Sequence, residues 1–376
     1  MRVEQLEIEN FRNFQYAKVS EFDAEMNVIC GNNAQGKTNL LEAIYYLCSA
    51  RSFRTRNDLE VIRTGSDKTT INANVVTGES DDYFSEVEPR KHGVSITFGK
   101  NSKKRVELNG TKLKTFTVLP FCTVLFSPED LELARGGASL RRKWLDTAIS
   151  QLRPKYAETL SEFRKLYESK TKILKENKPD LLETLDVFNI QLAKAGAVLI
   201  YYRAMFCEKL SPIAAETHLK LGGANEKLEM NYKTVSGIEN PEQMKPSEIC
   251  IKLLEHQAEH REIEINSGMC LSGAHKDDVV LRINEQPSEY WSQGQTRTVA
   301  LSLKFAEREF IRVDTGEYPL LLLDDVLSEL DSARRKVVLS RVNGGQTFIT
   351  CCDIGELQRG KLKGKLIPIT DGTVGD

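Results

Sequence analysis

Three short stretches of this chain hold residue types whose spacing suits chemistry on phosphate. Gly31-Asn32-Asn33-Ala34-Gln35-Gly36-Lys37-Thr38 fits G-x-x-x-x-G-K-[ST] in full, after the apolar run Asn27-Val28-Ile29-Cys30 and before a segment of helical periodicity. Glycines in such a loop let backbone N–H groups wrap phosphate oxygens, and the following helix N-terminus adds positive potential. Lys37 is expected to reach the β and γ oxygens and Thr38 to ligate magnesium, with Gly31, Asn32, Asn33, Ala34, Gln35 and Gly36 lining the cradle. Leu320-Leu321-Leu322-Leu323 ends in Asp324 and Asp325, the form of a buried strand that delivers carboxylates to a metal-phosphate site. Asp324 is the expected second magnesium ligand. Asp325 is expected to orient or deprotonate the attacking water, which makes it and Lys37 the candidate catalytic residues. Trp291-Ser292-Gln293-Gly294-Gln295 opens another helix, where Ser292, Gly294 and Gln295 form a second candidate anion site.

Other patterns are weaker. His256-Gln257-Ala258-Glu259-His260 matches H-x-x-E-H, but it has no evident third ligand and its charged flanks read as a solvated helix, so a zinc site is not expected. His275, in Gly273-Ala274-His275-Lys276-Asp277-Asp278, suits a functional or a structural histidine equally. Eight Lys/Arg stand against Glu107 alone between Arg90 and Lys114, which concentrates positive charge in a chain of net charge −2. Lys103, Lys104 and Arg105 in that run, and Arg51, Arg54 and Arg56 after the glycine loop, are the candidate contacts to DNA phosphate.

The elements that must position these residues read as α/β at both ends of the chain. Val3 to Phe11 and Asn27 to Cys30 suggest strands, Thr38 to Cys48 a helix, and Ile71 to Lys114 a mainly β region with Asn109-Gly110 as a type I′ turn. From about Leu131 to His260 the pattern is helical, with Pro179 separating two antiparallel helices that are too short for a sustained coiled coil; Gly222 to Pro246 reads as loop. Asp278 to Ile283 suggests a strand, Gln295 to Ile311 a helix, and Pro319 to Asp325 and Gln346 to Cys352 buried strands. A length of 376 residues suits two or three compact units. With 40% hydrophobic and 28% charged residues the chain reads as folded. No apolar run approaches the ~20 residues needed to span a bilayer. The opening Met1-Arg2-Val3-Glu4-Gln5-Leu6-Glu7 lacks the apolar core of a signal peptide, so a cytoplasmic protein is expected. Eight cysteines, at 30, 48, 122, 207, 250, 270, 351 and 352, form no C-x-x-C pair and read as buried reduced thiols.

The order glycine loop, Ser292-Gln293-Gly294-Gln295, Asp324-Asp325, then Ser328-Glu329-Leu330-Asp331 resembles that of the ABC-type ATPases. The run Leu6 to Phe14, Asn39-Leu40-Leu41-Glu42-Ala43, Phe126 to Leu133, Arg141-Arg142, Gly273 to Asp278 and Ser292 to Arg297 narrow the resemblance to the RecF family of bacterial DNA repair, short relatives of the SMC heads. That resemblance implies an α/β ABC-type ATPase head with an inserted helical lobe, divided as 1–120 and 312–376 for the ATPase lobe and 121–311 for the helical lobe. It also implies ATP and Mg2+ as ligands and two ATP molecules sandwiched in a homodimer. The role implied is slow, DNA-dependent ATP hydrolysis in recombinational repair at gapped or single/double-strand junction DNA, within the SOS response and replication restart, with RecR and RecO aiding RecA loading. Three features depart from the superfamily pattern. Asp325 stands in place of the usual glutamate, and no histidine follows the Asp324 strand, leaving Thr350 or Asp353 for that switch role; no glutamine near Ser127 to Asp130 fills the Q-loop. An ATPase subunit of a transporter and a nuclease-associated SMC-like head are the alternatives.

Overall fold

The computed structural model describes residues 1–55, 57–78, 88–113, 119–222, 225–352 and 364–375, and the chain divides into two compact units, Met1–Leu131 with Lys304–Asp376, and Glu132–Leu303. The first unit opens with β1 (Arg2–Phe11), β2 (Phe14–Val19), β3 (Met26–Cys30), α1 (Lys37–Ser49), β4 (Lys68–Thr77), β5 (Arg90–Gly99), β6 (Ser102–Leu108), β7 (Thr111–Lys112) and β8 (Thr123–Phe126). The second unit holds α2 (Ala138–Leu152), α3 (Pro154–Glu176), α4 (Pro179–Leu182), α5 (Leu185–Leu221), β9 (Leu228–Lys233), α6 (Pro246–Ser267), β10 (Asp278–Ile283) and β11 (Gln286–Pro287), and α7 (Gln293–Thr315) begins there. From Lys304 the chain is back in the first unit, with β12 (Leu320–Leu323), α8 (Ser332–Arg341), β13 (Thr347–Cys351), β14 (Lys365–Thr370) and β15 (Thr373–Val374).

β1 buries Val3, then Leu6 and Ile8, a spacing that strict alternation cannot give. A register shift against β4 between Val3 and Gln5 supplies the extra residue. The resulting antiparallel sheet has the order β2-β1-β4-β5-β6-β7, and its β6–β7 turn carries Asn109 at φ 52° and Gly110 at φ 76°, the two positive values a type I′ turn requires. A second sheet, in the order β15-β14-β3-β13-β12-β8, is parallel except for β15. Its central strands β3, β12 and β13 are buried at every position, as expected of strands covered on both faces. Ten of the 13 residues of α1 are buried, and Tyr46 stacks on Phe98 of the antiparallel sheet at 5.5 Å between centroids. This helix is wrapped rather than half-exposed, which is why its sequence shows no clean polar face.

β8 was placed with the helical lobe by the division at residue 120; its in-register pairing with β12, Leu320 opposite Thr123, puts it in the first unit. The stretch read as loop from Gly222 to Pro246 contains β9, which pairs with β10 from Leu228↔Ile283 to Lys233↔Asp278. Its buried Leu228 and Met230 alternate with Glu229 and Asn231, but six residues between turn-forming flanks give a weak signal. In α3 and α5 the partners run in opposite directions. Tyr156 meets Arg203 at 3.0 Å, and a Cβ on Gly196 would stand 3.4 Å from Phe163. Six cysteines are buried as expected, whereas Cys250 is half-buried and Cys352 exposed.

Gln346, just before the interior strand β13, joins the parallel sheet to the antiparallel one. Its Oε1 accepts from Val3 N at 2.7 Å, while its Nε2 donates to Val3 O at 2.9 Å and Asp23 O at 2.8 Å. Each buried polar group left without a partner costs about 1–3 kcal/mol. Gln346→Ala is therefore expected to lower the unfolding free energy by about 2–4 kcal/mol in urea titration.

Candidate functional site

The glycine loop leaves β3, and β14 and the β1–β2 turn leave no room for side chains at its two glycines. A Cβ on Gly31 (φ 153°) would stand 2.3 Å from Ile369 O, and one on Gly36 (φ 117°) 2.7 Å from Asn13 Nδ2. Two other turns brace the loop. Asn13 Nδ2 donates to Gln35 O at 2.8 Å, and Asn13 Oδ1 accepts from Asn39 Nδ2 at 2.8 Å. From the β14–β15 turn, Gly372 N donates to Gln35 O at 3.2 Å and Asp371 N donates to Gln35 Oε1. Gly36 caps α1 without a side chain, and no acidic residue occupies the first turn, so nothing anionic competes for these N–H groups. Lys37 folds back over the loop, donating to Gly31 O at 2.8 Å and Asn32 O at 2.9 Å.

Thr38 and Asp324 meet although 286 residues separate them: Thr38 Oγ1 donates to Asp324 Oδ1 at 2.9 Å. Asp324 is 7% exposed. Burial raises its pKa, Asp325 adds to the rise, and the hydrogen bonds from Thr38 and Thr350 oppose it. Thr350 Oγ1 donates to the same Oδ1 at 3.0 Å and accepts from Asp325 N at 2.8 Å. Thr350, one of the two residues left for the switch role, thus braces both carboxylate-bearing residues with its hydroxyl. Asp353 lies outside the described residues. Asp325 sits at φ 51° with an exposed side chain, and Ser328 Oγ lies 2.7 Å from its carbonyl oxygen and 3.0 Å from Oδ1. Asp331 caps α8 by accepting from Arg334 N at 2.9 Å.

Cys352 was not foreseen at the site. Its thiol donates to Asn33 Oδ1 at 2.9 Å, and Lys37 Nζ donates to its sulfur at 3.3 Å. The signal was topological: β13 runs parallel beside β3 with Cys351 opposite Cys30, so the next residue must emerge beside the glycine loop.

In the second unit the Ser292–Gln295 turn forms a reciprocal cap on α7. Gln295 N donates to Ser292 Oγ at 3.1 Å and Ser292 N donates to Gln295 Oε1 at 2.8 Å. Trp291 anchors the turn from below, 3% exposed with Nε1 bonded to Gln286 O. Gly294, between them, lies in the first turn of the helix.

The candidate DNA contacts separate into different environments. Lys103 is exposed and without an ion-pair partner among the described residues, and Arg105 is exposed but bonded through Nε to Glu107 at 2.6 Å. Lys104 points to the other face of β6, where its ammonium donates to Ala50 O at 2.7 Å, pairs with Asp58 and lies over the Tyr46 and Phe98 rings. Burial lowers its pKa. Strand alternation thus separates the three candidates: Lys104 is part of the packing around α1, opposite Lys103 and Arg105. Arg54 donates to Asn39 Oδ1 at 2.9 Å on the glycine-loop helix and lies 3.6 Å from Glu42, while Arg51 is exposed. Arg56 and Lys114 lie outside the described residues.

His256 accepts or donates at Ser272 Oγ and stacks on His260 at 4.0 Å; among the described residues no group of three or more His, Cys, Asp or Glu could hold a metal. His275 serves structure: Nε2 meets Cys270 O at 3.0 Å and its ring packs on Tyr167 at 4.4 Å. The segment around it is held by Arg141, paired with Asp278 through two contacts of 2.8 Å, by Arg142 Nη1 donating to Asp277 O at 2.6 Å and by Arg203 Nη1 donating to Ala274 O at 2.6 Å.

A family model described as the RecF/RecN/SMC N terminal domain matches residues 2–364. The DNA replication and repair protein RecF of Alkaliphilus oremlandii (strain OhILAs) is 38% identical over 353 residues, 93% of this chain and 93% of that protein. The protein of the same name from Lachnospira eligens is 34% identical over 382 residues, covering 100% and 99%. Among solved structures, that of the recombination mediator protein RecF-ATPrS in the RecFOR pathway superposes with a TM-score of 0.87 at 34% identity, covering 99% of this chain and 97% of that one. An SmcHead bound to the C-winged helix domain of ScpA shares the fold at a TM-score of 0.53 and 14% identity, covering 100% and 96%.

Burial holds the His275 pKa down at about 4, against an ordinary 6.5. Its depressed folded pKa means the unfolded chain takes up the proton first, so the contribution is intact above 6.5 and is lost as pH falls toward about 4. His275→Asn is expected to flatten the stability decline across that window by roughly 3 kcal/mol, read from urea titrations at several pH values.

Proposed function

The chain belongs to the RecF family of SMC-like ATPases, and from that premise we propose that it binds ATP with magnesium at the β3–α1 loop, hydrolyses it slowly and uses it to close a homodimer on DNA during recombinational repair. The observation that carries this reading is the 2.9 Å contact between Thr38 and Asp324, which puts a hydroxyl and a carboxylate from distant sequence at the mouth of a cradle shaped by Gly31 and Gly36. Those two oxygens are a fitting donor set for a hard cation. When bound, magnesium neutralises phosphate charge. Lys37 binds the outer phosphate oxygens, and the first-turn N–H groups of α1 hold the remainder. Asp325 orients the attacking water; aspartate is one methylene shorter than the usual glutamate, so turnover is slow and ATP works as a switch.

One chain carries a single glycine loop and a single Ser292-Gln293-Gly294-Gln295 turn, so a second copy supplies the turn that caps each γ-phosphate. ATP then shifts the monomer–dimer equilibrium by its differential affinity for the dimer, and ADP releases it. The DNA role follows the relatives named as DNA replication and repair proteins. It extends to gapped or junction DNA, to RecA loading with RecR and RecO, and to the SOS response and replication restart. No helix among the described residues is long and apolar enough to cross a membrane; a cytoplasmic site of action follows from the repair role proposed here.

Sedimentation with ATP, ADP and no nucleotide is expected to give dimers with ATP alone. Lys37→Met should lose ATP binding, whereas Ser292→Arg should keep it and lose the dimer; equal dimer fractions in all three conditions would end the switch reading. Lys103→Glu with Arg105→Glu, leaving Lys104 in place, is expected to flatten the logarithmic salt dependence of duplex binding by about 0.9 per lost phosphate contact. Gel-shift titration over a salt series reads this directly, and an unchanged slope places DNA elsewhere.

A further inference from the structure

The Ser292–Gln295 turn is tied to a hydrogen-bonded chain that no role above requires. Gln295 Nε2 donates to Glu226 Oε1 at 2.8 Å. The other carboxylate oxygen, Glu226 Oε2, lies 3.0 Å from His218 Nε2, and His218 Nδ1 lies 3.1 Å from Ser302 Oγ. Ser302 Oγ also lies 2.6 Å from Thr298 O. The chain thus leaves α7 at its first turn, passes through Glu226 to His218 near the end of α5, and returns to α7 two turns later. His218 is completely buried and Glu226 is 26% exposed at its side chain.

A primary amide has one acceptor end and one donor end. At Gln295 the oxygen must face Ser292 N–H, so the NH2 group must face a pure acceptor, and a carboxylate is one. Flipping the amide would set its NH2 against the Ser292 N–H and its oxygen against Glu226. With the amide locked, Gln295 N–H fills one lone pair of Ser292 Oγ, and the Ser292 hydroxyl hydrogen is left to donate away from the helix. An anionic oxygen requires that polarity. A carboxylate accepts only, so His218 Nε2 must carry a hydrogen.

We propose that Glu226, held by His218, is a positioning residue that fixes the Gln295 amide and so aims the Ser292 hydroxyl at the γ-phosphate of the opposite protomer. The proposal rests on the reading of Ser292 as the cap on a partner's nucleotide. Neither Glu226 nor His218 touches the nucleotide, so monomeric ATP binding does not depend on them.

The test compares Glu226→Ala, Glu226→Gln and Gln295→Ala, alone and combined, for ATP affinity at low protein concentration, ATP-dependent dimerisation and thermal midpoint. Glu226→Ala is expected to weaken the ATP dimer about tenfold with monomer ATP affinity unchanged. Glu226→Gln should restore the dimer, because its amide oxygen accepts from Gln295 and its NH2 faces the other His218 tautomer. In the Gln295→Ala background Glu226→Ala should add nothing, whereas a merely structural role would give additive losses and a lowered thermal midpoint. Parental dimerisation by Glu226→Ala, equal loss of monomer ATP binding, or additivity with Gln295→Ala overturns the proposal. Ser292→Arg separates the two failures: if it still dimerises with ATP, the sandwich reading falls, and if it does not while Glu226→Ala does, the positioning role alone falls.

Discussion

The hydrogen bond from Thr38 to the buried Asp324 is the constraint to which the first unit is built. It requires β3 and β12 to end at the same height, which the parallel sheet achieves with β13 between them and in register with both. A carboxylate this buried is costly without partners, and the partners are drawn from the two flanking strand ends, Thr38 after β3 and Thr350 within β13. Moving β13 by one residue would turn Thr350 to the opposite face of the sheet. Packing of the apolar strand interiors and polar satisfaction at their ends thus specify one and the same register.

In the second unit the polar interior does a comparable job for a different segment. Asp146 accepts from Arg203 at 2.8 Å and from Tyr156, while Tyr232 donates to Asp277 at 2.7 Å. Arg203 is 3% exposed, and burial pulls its pKa down while Tyr156 and Asp146 hold it well above the ordinary value. Helices α2, α3 and α5 and the β10 entry are therefore joined by charge and hydrogen bonds as well as by apolar contact. Buried networks of this kind rigidify only when every member is satisfied.

The glycine loop, the tetraleucine strand and the Ser292 turn were legible because each joins an uncommon residue pattern to a change of periodicity. What escaped was of two kinds. Short elements such as β9 lack enough residues for periodicity to speak, and Lys104 looked like its neighbours because charge counts ignore which face of a strand a residue occupies. Residues brought to the site by topology left no local mark at all: Asn13, Cys352 and the Asp371-Gly372 turn are each defined by what lies beside them in space. Thr350 was legible as a residue near the site, but only the distances reveal that its hydroxyl bridges Asp324 and the Asp325 backbone.

The brace that the β14–β15 turn lends to Gln35 has a consequence for biosynthesis. Residues 31–38 leave the ribosome early, yet Asp371, which bonds Gln35, follows it 336 residues later. At a synthesis rate of about 5–20 residues per second, some tens of seconds separate the two events. During that interval the nascent chain displays the phosphate motif without the scaffold that shapes it. A polypeptide cut short just before β14 would carry the glycine loop, the Ser292 turn and Asp324-Asp325 and still lack the two hydrogen bonds from the β14–β15 turn to Gln35.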